Sequence, residues 1–80
     1  MPKIKNDNRK RIFTEKQFRT YVNTGRGFDM MWSAMDIMFM YNKDADYIRK
    51  EIIKVEDWEQ LAAFNYMMKN KVSVGGYTPI

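Results

Sequence analysis

Residues 28 to 41 read FDMMWSAMDIMFMY, and their only polar members are Asp29, Ser33 and Asp36. These three recur at i, i+4 and i+7, so on a helix they fall along one narrow line while every other position is apolar. A helix with so thin a polar stripe is expected to be covered on most of its circumference. The stretch therefore reads as the central helix of an all-α fold, a three- or four-helix domain packed around residues 28–41.

The flanking segments carry helix signals of their own. Upstream, Thr14 and Gln17 form a Thr-x-x-Gln capping box, and Phe13 and Phe18 occupy the hydrophobic-staple positions, which starts a first helix at Thr14. Phe18, Tyr21 and Val22 give it an apolar face, and Gly25 is expected to stop it, with Gly27 or Asp29 capping the central helix. Downstream, Asn42 to Asp44 form a turn, and Asp44 can cap a third helix whose apolar face is Ala45, Ile48, Ile52 and Val55. Glu56, Asp57 and Glu59 suit the positive end of a fourth helix, on which Trp58, Leu61, Phe64 and Met68 share a face. Lys69 and Lys71 follow at its negative end. The expected organisation is a basic flexible arm over 1–12, a helical domain over 13–71 and an extended C-terminal tail over 72–80, where Val72 and Val74 precede Gly75-Gly76 and Pro79.

Composition excludes more than it assigns. The chain has 80 residues, with no cysteine and no histidine. Disulfides, thiolate chemistry, Ser-His-Asp and Cys-His arrangements and the usual zinc ligands are therefore all absent. Asp44 and Asp46 open like a calcium loop, but Ile48 and Arg49 stand where an oxygen ligand and a glycine are needed. Gly25-Arg26-Gly27 lacks the Lys-Ser/Thr of a phosphate loop and reads as an inter-helix turn. The sequence thus points to no enzyme, no metal and no cofactor. No apolar run is long enough to span a bilayer, and the expected location is the cytoplasm.

Charge is unevenly placed along the chain, whose formal net charge is +4. Residues 1–28 hold eight Lys or Arg against Asp7 and Glu15, whereas residues 29–59 hold eight acids against Lys43, Arg49, Lys50 and Lys54. Arg9, Lys10, Arg11, Arg19 and Arg26 form the candidate electrostatic contact set, for an acidic protein surface or for phosphate. Helix-turn-helix recognition fits the helix lengths around Asn42–Asp44, but Asp44 and Asp46 at the start of the third helix repel phosphate.

Eight methionines and twelve aromatic residues are many for a chain of this size. An 80-residue domain buries only about 60–65% of its unfolded surface. Some of Met30, Met31, Trp32, Met35, Met38, Phe39, Met40 and Tyr41 is thus expected to remain uncovered and to meet a partner or a second copy. Trp32, Tyr41, Trp58 and Tyr66 are the candidate aromatic anchors. The short chain, rich in Lys, Asn, Ile, Met and Tyr, resembles in composition the small accessory proteins of phages with AT-rich genomes. That resemblance implies a protein that docks on and inhibits a host protein or nucleoprotein complex, in anti-defence or host takeover. DNA binding through the basic N-terminal end and a self-assembling helical subunit or homodimer are the alternatives.

Overall fold

The first N–H groups of a helix have no partner within it, and here each helix begins at a side chain that supplies one. The structure, a computed structural model, describes residues 8–79. After a turn of 3₁₀ helix at Asn8–Lys10 it contains four helices: α1 Glu15–Val22, α2 Gly25–Met40, α3 Ala45–Lys54 and α4 Trp58–Asn70. At α1 the capping box is complete. Gln17 N–H donates to Thr14 Oγ1 (3.2 Å), and Thr14 N–H donates to Gln17 Oε1 (2.9 Å). Asp44 caps α3 by accepting from Tyr47 N–H (2.9 Å), and Asp57 caps α4 by accepting from Gln60 N–H (3.2 Å). Each such cap stabilises by about 1 kcal/mol.

The start of α2 differs from the sequence expectation. Thr24, in extended backbone, is the cap and accepts from Gly27 N–H (2.9 Å), so the helix begins at Gly25, three residues before Phe28. Gly25 does not stop α1. The stop is Asn23, and Gly25 is already helical. Gly27 is required for close approach: a Cβ there would lie 1.8 Å from the carbonyl oxygen of Tyr21. The glycines join α1 to α2 at short range where a longer loop was expected.

Helix ends are handled without glycine. Asn42, Glu56 and Lys71 take left-handed backbone, with φ of 56°, 54° and 54°. In each case the next N–H reaches back to the helix: Lys43 to Met38 O, Asp57 to Ile52 O and Val72 to Met67 O. This is the Schellman closure, which satisfies carbonyls left over at a C-terminus. Because α3 ends at Lys54, Val55 falls outside it, and the predicted fourth apolar position of that helix is 71% exposed.

The core is built on α4, which packs against α1, α2 and α3. Leu61, Ala62, Ala63, Phe64 and Met67 are all buried, and two adjacent alanines let neighbouring helices approach closely. Met67 is wholly buried, and Met68, expected on this face, is only partly so. From α2 the core receives Gly27, Met31, Ala34 and Met35, one side of the helix. Met31, Met35 and Met67 fill the centre beside Phe64, as flexible unbranched side chains do in an irregular interior. The most enclosed helix is therefore α4, and α2 keeps a broad uncovered surface.

Both terminal segments are tied to the helices where they are described. Phe13 N–H donates to Ala62 O (3.2 Å), and Asn65 Nδ2 donates to Arg11 O (2.8 Å) while its Oδ1 accepts from Arg49 Nε (2.8 Å). One asparagine thus joins the N-terminal segment, α3 and α4. The expected arm over 1–12 is an attached segment from Asn8 onward, and residues 1–7 lie outside the described residues. The expected extended tail folds back instead. Val74 and Tyr77 exchange hydrogen bonds (2.9 and 3.1 Å) across Gly75 (φ 59°) and Gly76 (φ 89°), the positive angles of a type I′ turn.

Candidate partner-binding surface

Helix α2 presents three sides. One faces the core. A second is made by Trp32, Asp36 and Phe39, spaced i, i+4 and i+7, and the C-terminal turn lies on it. A Cβ at Gly75 would stand 2.0 Å from Cδ1 of Trp32, so the turn rests directly on the indole. The Tyr77 ring stacks on Phe39 (centroids 5.1 Å apart, planes at 8°), and Tyr77 Oη donates to Asp36 Oδ1 (2.7 Å). Asp36 was expected on a solvent stripe. It is half-buried, because the chain returns over it with a phenol as partner. That hydrogen bond, then loss of solvent and the Asp36 charge, hold the Tyr77 phenol above the usual tyrosine range.

The third side is open. Ile37, Tyr47 and Val55 line a groove of about 230 Å³ between α2 and α3, together with Met30 and Ile52 on its floor and Glu51 at its edge. Met40 and Tyr41 follow Ile37 at i+3 and i+4 and are 68% and 69% exposed. Met40, Tyr41 and Tyr47 thus stand near the turn that joins α2 to α3, where Lys43 Nζ lies 4.9 Å over the Tyr47 ring, while Val55 stands just past the other end of α3. Tyr41, a candidate anchor from sequence, is exposed. Ile37, Tyr47 and Val55 were not singled out as anchors, because helical periodicity is the same for a covered and an uncovered apolar face.

The other aromatic candidates have structural contacts. Tyr66 packs on Phe18 (4.8 Å), and Trp58 is partly buried against the core. Trp32 is partly exposed beneath the C-terminal turn.

Nor do the five basic candidates form one patch of equivalent cations. Arg19 pairs with Glu15 (2.8 Å) one helical turn back on the surface of α1. Arg26 pairs with Asp57 (3.2 Å), the cap of α4, and so links the N-terminal ends of two helices. Arg9, Lys10 and Arg11 are exposed side chains of the segment held on α4. Among the described residues, no group of three or more acidic side chains is placed to hold a metal ion, and no helix is long and apolar enough to cross a membrane.

A separate groove of about 610 Å³ runs beside α1, lined by Phe13, Lys16, Thr20, Tyr21, Arg26 and Glu59 among others. Phe13 meets Tyr21 edge to face (5.7 Å). The Tyr21 hydroxyl is buried and has no hydrogen-bond partner among the described residues. Burial first, then the charge of Asp57, push its phenol above the usual range, partly offset by the neighbouring Arg26. The guanidinium lowers the phenol both by its charge and by close side-chain approach.

No protein-family model, no curated protein and no solved structure matches this chain, so these surfaces stand on their own chemistry.

Proposed function

We propose that the protein acts without catalysis, by stoichiometric docking of its α2–α3 end on a larger protein. The observation that carries this reading is the exposed set Met40, Tyr41 and Tyr47 around the α2–α3 turn, continued by Ile37 and Val55 along the groove between the two helices. Apolar side chains are costly to leave in water as a contiguous patch, and such patches on small domains mark interaction surfaces. Tyr and Met are favoured in such contacts because they bring large area with adaptable packing. Arg9, Lys10 and Arg11 are proposed to steer the approach to an acidic partner surface, a role that affects encounter rate more than final affinity.

The wider role proposed for this docking is inhibition of a host protein or nucleoprotein complex, of the anti-defence or host-takeover kind, in the cytoplasm. It rests on the compositional resemblance together with the asymmetric charge of the chain. Capture from bacterial lysate, with and without nuclease, tests it. A stoichiometric protein complex that survives nuclease and is lost with Met40→Asp and Tyr41→Ser is the expected result. Recovery only of nucleic-acid-associated proteins that disappear with nuclease would favour DNA binding through the basic segment, and concentration-dependent self-association without a captured partner would favour a homodimer.

A further inference from the structure

The groove beside α1 has features that the α2–α3 end lacks. It is an open surface groove of about 610 Å³, larger than the groove of about 230 Å³ between α2 and α3. Its floor is the edge-to-face pair of Phe13 and Tyr21, an apolar bed for one large side chain. Within that bed lies a polar atom that meets no hydrogen-bond partner among the described residues, with the Arg26 guanidinium as its neighbour. Tyr21 is 9% exposed, and its hydroxyl is buried without a partner among the described residues. Buried polar groups are nearly always satisfied, so an orphaned hydroxyl just beneath the lining of a groove marks a place where a ligand atom gains a bond, once the side chains over it shift, that the free protein does not make. A phenol kept protonated by its surroundings offers an O–H donor there.

Charge defines the other half of the ligand. Lys16 stands on the rim from α1, and Arg26 stands in the first turn of α2, whose cap Thr24 also lines the groove. The N-terminus of a sixteen-residue helix carries positive potential, which favours a carboxylate. Arg26 is largely exposed and spends one nitrogen on Asp57, so its remaining N–H groups can meet a second acceptor. Glu59 in the lining and Asp57, paired with Arg26, are the acids beside the groove and disfavour a second negative charge at their end, which leaves the Lys16 side and the free N–H groups of Arg26 for the carboxylate. The lining residues of α1, Lys16 to Tyr21, span roughly 8 Å at 1.5 Å per residue. That length matches two to three residues of extended chain at about 3.3 Å each.

We propose that this groove is a second binding site, for a short extended peptide segment of a protein partner in which a large apolar residue adjoins a carboxylate. The apolar side chain lies on Phe13 and Tyr21, a polar group of the peptide accepts from the Tyr21 hydroxyl, and the carboxylate meets Arg26 at the start of α2.

The test uses the full chain labelled with nitrogen-15 and two probes, acetyl-Leu-Phe-Asp-amide and its neutral counterpart acetyl-Leu-Phe-Asn-amide. Saturable amide shifts centred on Phe13, Thr20, Tyr21 and Arg26, at least fivefold tighter for the acidic probe, are expected. Tyr21→Phe keeps the ring and removes the orphan hydroxyl, so it should raise the melting temperature and weaken the acidic probe at least threefold. Lys16→Glu should weaken the acidic probe and spare the neutral one. Met40→Asp, at the other surface, should leave probe affinity unchanged, which separates failure of this site from failure of the α2–α3 docking surface. The proposal is overturned by no saturable shifts at millimolar probe, by equal affinity for both probes, by a Tyr21→Phe protein that binds as tightly as wild type, or by shifts that map to the α2–α3 end.

Discussion

Two sides of one helix, made from the same kinds of residue, have different fates. On α2 the line Trp32, Asp36 and Phe39 is met by a turn about forty residues away in sequence and stays partly exposed, whereas Met40 and Tyr41, at 68% and 69% exposed, have no such partner laid over them. Both sides carry large apolar side chains, and the side under the turn carries Asp36 as well. The covered side differs in having a partner cut to it: a glycine where the indole lies, an aromatic ring where Phe39 lies, and a hydroxyl where Asp36 lies. An apolar helix face becomes core only when another segment arrives with matching shape and a donor for every buried acceptor.

The comparison breaks most sharply at Gly75. A side chain there must enter the Trp32 ring and adopt φ of 59°, so Gly75→Ala is expected to cost about 2–3 kcal/mol, from left-handed backbone strain together with overpacking. Denaturant unfolding measures that loss. In a Trp58→Phe background, Trp32 emission should shift to the red as the turn lifts away. A change under about 0.5 kcal/mol, the ordinary range for a surface site, would mean that the turn is not pinned to α2.

Phe39→Ala comes next. It removes the stacking partner of Tyr77 from a half-covered position, and a loss of about 1–2 kcal/mol is expected from lost apolar burial and lost ring contact. The same truncation at Tyr41, on the open side, should cost much less, and a larger loss there would overturn the contrast between the two sides.

Tyr77→Phe isolates the hydrogen bond to Asp36, because the stack on Phe39 is retained. A small fall in melting temperature is expected. Alkaline titration tests the same contact. The folded phenol is raised above the ordinary value of 10.0, so its contribution is fully present below pH 10 and is lost as pH rises through the raised value. Tyrosinate absorbance should therefore show Tyr77 among the late-ionising tyrosines, and Tyr77→Phe should remove its share of that late signal. A second late titration belongs to Tyr21, which the Tyr77→Phe spectrum should leave in place.

The smallest effect is expected on the open side. Met40→Gln with Tyr41→Ser should change folding stability by no more than about 0.5 kcal/mol, since neither side chain is covered. Thermal unfolding checks this. A large destabilisation would mean that this end is supported by contacts the two side chains make within the chain, and would remove it as a docking surface.

Local rules carried far in this sequence. The caps Thr14 and Asp44, the capping box with Gln17 and the turn before α3 were legible because each depends on residues three or four apart. The start of α2 was misread, because Gly25 and Gly27 resemble helix breakers locally. Only the close approach of Gly27 to the Tyr21 carbonyl shows that its missing side chain serves packing. Asn42, Glu56 and Lys71 ended their helices without a glycine to announce it. Of the candidate site residues, Tyr41 is exposed as an anchor must be, but Arg19, Arg26, Trp58 and Tyr66 have intramolecular partners that no spacing in the sequence displays.

By itself the sequence determined an all-α chain with capped amphipathic helices, more apolar surface than so short a domain can cover, and no histidine or cysteine chemistry. Those properties follow from residue type and from spacings within one or two helical turns. Tertiary structure decided that α4 is the enclosed helix, that the C-terminal turn covers Trp32 and Phe39, and that the α2–α3 end and the groove at Tyr21 remain open. Burial is a property of pairs of surfaces: periodicity specifies which side of a helix is apolar, and only the three-dimensional return of distant segments specifies which apolar side is covered.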